Sequence, residues 1–252
     1  MCTISWLIKD DDYHVFFNRD EQRSRANAVP PRVMNIKDTQ ALIPIDPVGN
    51  GSWISTNEFG LTLCLLNYYQ GSTPKGVLTS RGLLLKDLSS FLSVEDIDIQ
   101  LKNLNLHKYA SFSLLAFGLN DSGGVSKQAW QWNGKKLTNI FLTSPFTSSS
   151  VNFDEVSQSR LLLAQQLLEP ISVDALVNYH KSHQPTKGYL SVCMHREDAK
   201  TVSFSHIHVD TIQSIFKYKN ASPCSEVKSD IMMLQRRMKN KVSNLNNYTK
   251  NT

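Results

Sequence analysis

Cys2 stands one residue from the start of a 252-residue sequence, and removal of Met1 would leave a thiol and a free α-amine on one residue. An α-amino group has a pKa of about 7.7–8.0, so near neutral pH it can take the proton of the thiol and return it to a leaving group. Nucleophile and base are then held together by covalent geometry. A second polar group, Asn18-Arg19-Asp20-Glu21, follows the apolar run Val15-Phe16-Phe17 and is a poor way to finish a core strand. A carboxylate there can hold an ammonium or orient a free amine, and an arginine can lower a thiol pKa or grip a substrate carboxylate. Two blander readings stand beside these: a cysteine at position two by chance, and a salt-bridged strand end.

Other reactive side chains are less organised. His206 and His208 share a strand face and His180 and His183 a helix face, but no Asp/Glu/His cluster completes either set, so no metal is expected. The four cysteines, Cys2, Cys64, Cys193 and Cys224, lack a CxxC spacing, which points away from a zinc ribbon and from a disulfide scaffold. Cys193 and His195, with Arg196 offset, form a Cys/His pair on an expected strand interior, where a buried thiol is usually inert. His195 is expected to line a pocket. Trp53, Trp130 and Trp132 are expected to pack rather than stack a ligand.

The elements that must position these groups begin with a hairpin. Cys2, Ile4, Trp6 and Ile8 alternate with Thr3, Ser5 and Leu7, Lys9 to Asp12 is a turn, and Tyr13 to Phe17 is a second β-prone run. Paired positions in a hairpin have a constant residue sum, here about 20–22, which puts Cys2 beside Asn18 to Asp20. The proline-rich stretch Gln22 to Asn50 reads as a long surface excursion around one short strand. Gly51 to Thr56 and Leu61 to Asn67 read as strands, the second apolar enough to be central. Ser80 can cap a helix through Leu83, Leu84, Leu88, Phe91 and Leu92, and a second helix is expected over Val94 to Leu104.

Ala110 to Leu119, Lys127 to Trp132 and Lys135 to Leu142 form an antiparallel meander, its last turn marked by Asn133-Gly134. Helical periodicity returns at Phe153 to Leu168 and Val173 to His183, and Tyr189 to Met194, Thr201 to Ser205 and Ile212 to Lys217 alternate as strands. Glu226 to Lys239 suggests a terminal helix, and 240–252 a disordered tail. The order lacks a βαβ rhythm. It argues for antiparallel sheets covered by helices in a single α+β domain over residues 1–239.

Hydrophobic residues make up 40% of the chain and charged residues 19%, which excludes disordered, collagen-like and coiled-coil classes. The net charge of +5 is small and partly confined to Lys217 to Lys250, and no motif marks a nucleic-acid binder. No apolar run approaches the roughly 20 residues that cross a bilayer, and the first eight residues do not form a signal peptide. A soluble, cytoplasmic protein without stable membrane insertion is expected.

Met1-Cys2 with Asn18-Arg19-Asp20-Glu21 close behind is followed in order by Gly51-Ser52-Trp53-Ile54, Leu66-Asn67-Tyr68 and Ser80-Arg81-Gly82. Ser148-Ser149-Ser150, Arg160 and Ser191-Val192-Cys193-Met194-His195-Arg196 complete the series. Together these resemble the NRDE family, also called the transport and Golgi organisation 2 family, which is related to the N-terminal nucleophile (Ntn) hydrolases. The resemblance implies a four-layer αββα sandwich, two antiparallel sheets between helix layers. It also implies an acyl-transfer site, since related bile-salt and penicillin V amidases use an N-terminal cysteine with Arg, Asp and oxyanion asparagines. By that resemblance Cys2 is the nucleophile, Arg19 and Asp20 its partners, and Asn67 an oxyanion donor. Asn18, Glu21, Trp53, Arg81, Arg160 and His195 are expected to contact the substrate. Those amidases separate Arg and Asp by two residues; here the pair is adjacent, so the side chains leave opposite strand faces.

The expected reaction is cleavage of a linear amide through a thioester, on a small-molecule amide or acyl substrate, with no cofactor. The rival expectation is a non-catalytic binding or trafficking protein of the same fold, because relatives in the resembled family are linked to secretory organisation and to lipid or haem handling.

Overall fold

The computed structural model describes residues 1–121 and 123–238. In chain order these form β1 (Cys2–Ile8), β2 (Tyr13–Gln22), β3 (Val29–Ile36), β4 (Thr39–Ile45), β5 (Ile54–Asn57) and β6 (Leu61–Asn67). Helices α1 (Arg81–Leu88) and α2 (Val94–Asn103) follow, then β7 (Phe112–Leu119), β8 (Val125–Trp132), β9 (Leu137–Ile140) and β10 (Phe146–Ser148). The chain continues through α3 (Phe153–Leu167), α4 (Val173–Lys181), β11 (Ala199–Val209), β12 (Gln213–Lys219) and β13 (Asp230–Gln235). One sheet has the order β10-β1-β2-β11-β12-β13 and the other runs β3 to β9 in sequence order, every pair antiparallel.

Strand alternation sorts the side chains into layers. Ile4, Trp6, Val15 and Phe17 of the first sheet meet Leu42, Ile54, Leu66, Leu115 and Phe117 of the second in a core between the sheets. Leu61, Leu63 and Leu65, on the other face of β6, pack under Leu84, Leu85 and Leu88 of α1 and Ile97 and Leu101 of α2. On the far side Phe16 and Phe204 meet Leu176 of α4. The result is the αββα sandwich, with β6 apolar but for Thr62 and the terminal Asn67 because both its faces are covered. Two helix starts are set by serine caps, Ser93 accepting from the Asp96 N–H and Ser172 from the Ala175 N–H. Among the described residues no helix is long and apolar enough to cross a membrane.

Three expectations are corrected. The excursion from Gln22 to Asn50 contains two strands, β3 and β4, joined at a turn where Lys37 has φ 54°. Pro30 and Pro31 fit because β3 is an edge strand whose register shifts between Val29 and Arg32. The expected helix over Glu226 to Lys239 is instead the edge strand β13, which turns Leu234 and Met232 onto the core between the sheets. Tyr189 to Met194 is not a strand, because the carbonyls of Tyr189, Leu190 and Ser191 accept from the Arg160 guanidinium rather than from a neighbouring strand. The expected tail, 240–252, lies outside the described residues.

Three histidines lie between the first sheet and its helices. The His180 ring bonds Ser5 Oγ at 2.8 Å, and His14 Nδ1 and His206 Nε2 are 3.0 Å apart. Burial, reinforced by cationic or imidazole neighbours, holds His14 down to about 4 and His180 and His206 to about 3. Unfolded histidines titrate near 6.5, so the stability these groups contribute is whole above that pH and is lost as pH falls toward the folded values. Urea midpoints should therefore fall steadily between pH 6.5 and 4, each histidine adding up to about 1.4 kcal/mol per pH unit. A His206→Phe variant, keeping the ring stacked on Phe16, should show a shallower fall.

Candidate active site around Cys2

The register of β1 and β2 determines what surrounds Cys2. The Asp20 N–H donates to the Met1 carbonyl at 3.1 Å, so Met1 and Asp20 form a hydrogen-bonded pair and Cys2 and Arg19 the adjacent non-hydrogen-bonded pair. Cys2 and Arg19 therefore stand together on the face toward the second sheet. Asn18 and Asp20 turn to the helix side, where Asn18 Nδ2 donates to the carbonyls of His180 and Val192 at 2.9 Å. Asp20 Oδ1 accepts from Thr201 Oγ1 at 2.6 Å. Its Oδ2 is buried without a hydrogen-bond partner, 3.7 Å from Arg160 Nη2.

Cys2 opens onto a cavity of about 660 Å³ between the sheet ends, of a size usual for small-molecule sites. Arg19, Asp20, Glu21, Trp53, Asn67 and Arg81, all singled out in the sequence, line it with Cys2. The Arg19 guanidinium lies 4.2 Å over the Trp53 ring and reaches Glu21 at 3.3 Å and Asp46 at 3.4 Å. It is a fixed cation beside the thiol. Burial would raise the Asp46 carboxyl, but hydrogen bonds from Arg25 and the Val48 N–H outweigh it and hold that group below the usual carboxylate range.

Burial pushes the Cys2 thiol up, against the pull of the terminal amine. Burial likewise raises the Asp20 carboxyl, against Arg160 and the amino terminus. Asn67 ends β6 with its Nδ2 donating to Tyr69 Oη at 2.9 Å, an amide donor already oriented at the cavity wall. Arg81 opens α1 and donates to the Ser111 carbonyl at 2.7 Å. It is positioned by a close approach of two glycines: a Cβ on Gly51 would lie 2.3 Å from the Gly82 carbonyl carbon, and the Ser52 N–H donates to Gly82 O at 3.0 Å.

Asn18, Arg160 and His195 do not line this cavity. Arg160 is fully buried behind β1, donating to Thr3 Oγ1 and to the Ser191 carbonyl, the latter at 2.8 Å. His195 faces the Cys193 and Cys224 thiols. Sequence reasoning missed Asp46, Tyr69 and Ser148, which also border the cavity. Asp46 sits in the proline-rich stretch without a pattern, and Ser148 reaches Cys2 only through the three-residue strand β10.

Two solved structures share this layering. The chain matches the structure of penicillin V acylase from Agrobacterium tumefaciens with a TM-score of 0.53 at 10% identity, over 93% of this chain and 86% of that one. It matches the C2A mutant of conjugated bile acid hydrolase from Clostridium perfringens with a TM-score of 0.54 at 14% identity, over 93% and 92%. At such identities the likeness is one of fold, that of the Ntn hydrolases. No curated protein sequence matches the chain. The profile of the family described as Transport and Golgi organisation 2 matches residues 1–217, which include every cavity residue named above.

Arg160 is the residue here whose loss should harm the fold first. Replacing it by Met strands three carbonyls and the Asp20 carboxylate in the interior, and removal of one partner from such a buried set costs about 3–5 kcal/mol. Urea denaturation of Arg160→Met should show a loss of that order.

Proposed function

Since the chain belongs to the Transport and Golgi organisation 2 family and has the Ntn-hydrolase fold, we propose that it is an N-terminal cysteine hydrolase of linear amides, cleaving a C–N bond other than a peptide bond. The observation that carries this reading is the pairing of Cys2 with Arg19 at the cavity, with the Met1–Cys2 junction held against Asp20.

In this reading loss of Met1 frees the Cys2 amine beside Asp20, whose unpartnered Oδ2 holds it. The amine takes the thiol proton as Sγ attacks the substrate carbonyl carbon, and the C–S bond forms. Asn67 donates to the oxyanion, where one such donor is worth about 10²–10³ in rate. The ammonium then protonates the leaving nitrogen, the C–N bond breaks and a thioester remains. Water, deprotonated by the same amine, releases the acid and restores the thiol. Arg19 favours the thiolate or holds a substrate carboxylate, Trp53 supplies an apolar wall, and Glu21 and Arg81 select polar groups at the mouth. Asn18 and Arg160 serve from behind the strands as positioning residues.

One observation favours the rival reading of a binding or trafficking protein. Met1 is itself buried, its sulfur accepting from Ser149 Oγ at 2.7 Å and its carbonyl bonded by Asp20, and a chain that keeps Met1 has no free amine on Cys2. Intact mass decides whether Met1 is removed. A panel of N-acyl amino acids, acyl-homoserine lactones and penicillin-type amides then separates the readings. Hydrolysis should be abolished in Cys2→Ala and lowered about 10²–10³-fold in Asn67→Ala with KM nearly unchanged. If Met1-processed protein turns over no amide and a ligand binds Cys2→Ala as well as wild type, the binding reading replaces the hydrolase.

A further inference from the structure

Four side chains kept apart by the chain order meet at one point outside the cavity. His183 follows α4, Cys193 and His195 lie in the loop leading into β11, and Cys224 lies after β12. One potential ligand atom from each is within 4.8 Å of all the others. His195 Nε2 is 3.4 Å from Cys193 Sγ and 3.5 Å from Cys224 Sγ. A tetrahedral cation held by thiolate at about 2.3 Å and by imidazole at about 2.0–2.1 Å sets sulfur and nitrogen about 3.6 Å apart. These two sulfur–nitrogen edges are close to those of a filled site, and the other four separations lie within 4.8 Å.

The hydrogen bonding of the cluster is incomplete without such an ion. One ring nitrogen has a single in-plane direction in which to donate or accept, yet two sulfurs converge on His195 Nε2. His183 Nε2 is buried with no hydrogen-bond partner. The two imidazoles meet nearly edge to face, centroids 5.0 Å apart at 69°, so their planes are free to aim at a common centre. The other group of metal-capable residues among those described, Asp12, His14 and His208, lacks this property. Its two rings stack at 4.1 Å and 7°, which sends their lone pairs in parallel.

We infer that His183, Cys193, His195 and Cys224 form a closed, tetrahedral Cys2His2 site for Zn²⁺. Binding exchanges the two thiol protons for the ion, and two thiolates with two neutral imidazoles leave the filled site without net charge, suited to a cluster in which Cys193 is buried and the other three ligands are half-buried. All four positions are protein ligands, so the ion is structural and has no open position for a substrate. It ties the loop before β11 to the turn after β12. Met194, Arg196 and Asp198 of that loop also line the Cys2 cavity, so the ion braces one wall of it whatever reaction the cavity supports. Cys224 lies beyond residue 217, where the family match ends, so the fourth ligand comes from outside the matched stretch.

The test uses the full chain, purified under reducing conditions, stripped with a chelator and titrated with Zn²⁺ or Co²⁺. One equivalent of metal per chain is expected, with Co²⁺ giving the visible bands of tetrahedral cobalt and a thiolate charge-transfer band. Cys224→Ser and His183→Ala should weaken binding by more than about 100-fold, beyond the usual effect of losing an outer-shell partner. Cys64→Ala and His208→Ala should keep the full equivalent. Circular dichroism of each variant separates lost ligation from lost fold, and the wild-type titration decides the matter even if a variant fails to fold. Folded, reduced wild type that binds neither metal would overturn the assignment. So would a Cys193–Cys224 disulfide in freshly prepared protein that reduction does not convert to a metal site, or cobalt bands unchanged in folded Cys224→Ser.

Discussion

The pairing of β1 with β2 in one register is the constraint on which the rest of the structure depends. Strand side chains alternate with period two, so a slip of one residue would exchange the surroundings of Arg19 and Asp20. Arg19 would then turn toward the buried Arg160 guanidinium, and Asp20 toward the Trp53 ring and the Asp46 carboxylate. Both exchanges set like charges together or leave one unpaired away from water, where the penalty is several kcal/mol. The register is held from both sides, by Ile4, Trp6, Val15 and Phe17 between the sheets and by the Ser5–His180 bond and the Phe16–Leu176 contact beneath the helices.

Arg160 extends this order beyond the hairpin. From α3 it reaches Thr3 on β1, stands near Asp20 on β2, and gathers three successive carbonyls of the loop before β11. One buried guanidinium thus supplies donors that a strand partner would otherwise provide, and the loop can turn without orphaned backbone groups. Ser191 closes the same turn, its Oγ bonding Gly188 and Cys193 backbone. The path of Cys193 and His195 follows from that turn.

What was legible in the sequence was whatever a local period encodes. The hairpin sum placed Cys2 beside Asn18 to Asp20, where the register sets it opposite Arg19, and the largely apolar run of β6 announced a central strand. The adjacent Arg19 and Asp20 diverge as strand alternation requires. The alternation of Tyr189 to Met194 misled, because a loop whose carbonyls serve a buried cation is drawn into the interior, and Ser191, Val192, Cys193 and Met194 are buried one after another without a ladder partner. β10, at three residues, is too short to carry a period, so Ser148 could not be foreseen beside Cys2. The cluster of His183, Cys193, His195 and Cys224 was invisible for a different reason. Its members come from three segments whose meeting depends on how β11 and β12 lie in the sheet, and their spacing follows no familiar ligand pattern.

The burial of Met1 sets an order of events during synthesis. Its carbonyl is bonded by β2, a partner only about twenty residues downstream, but its side chain is enclosed by Ser149, which leaves the ribosome far later. Chain growth at about 5–20 residues per second puts on the order of ten to thirty seconds between the first appearance of Met1 and that closure. Removal of Met1 is expected while the terminus is still exposed, before that contact can form. The pace of translation as far as Ser149 would therefore govern what fraction of molecules ever carries an exposed Cys2 amine.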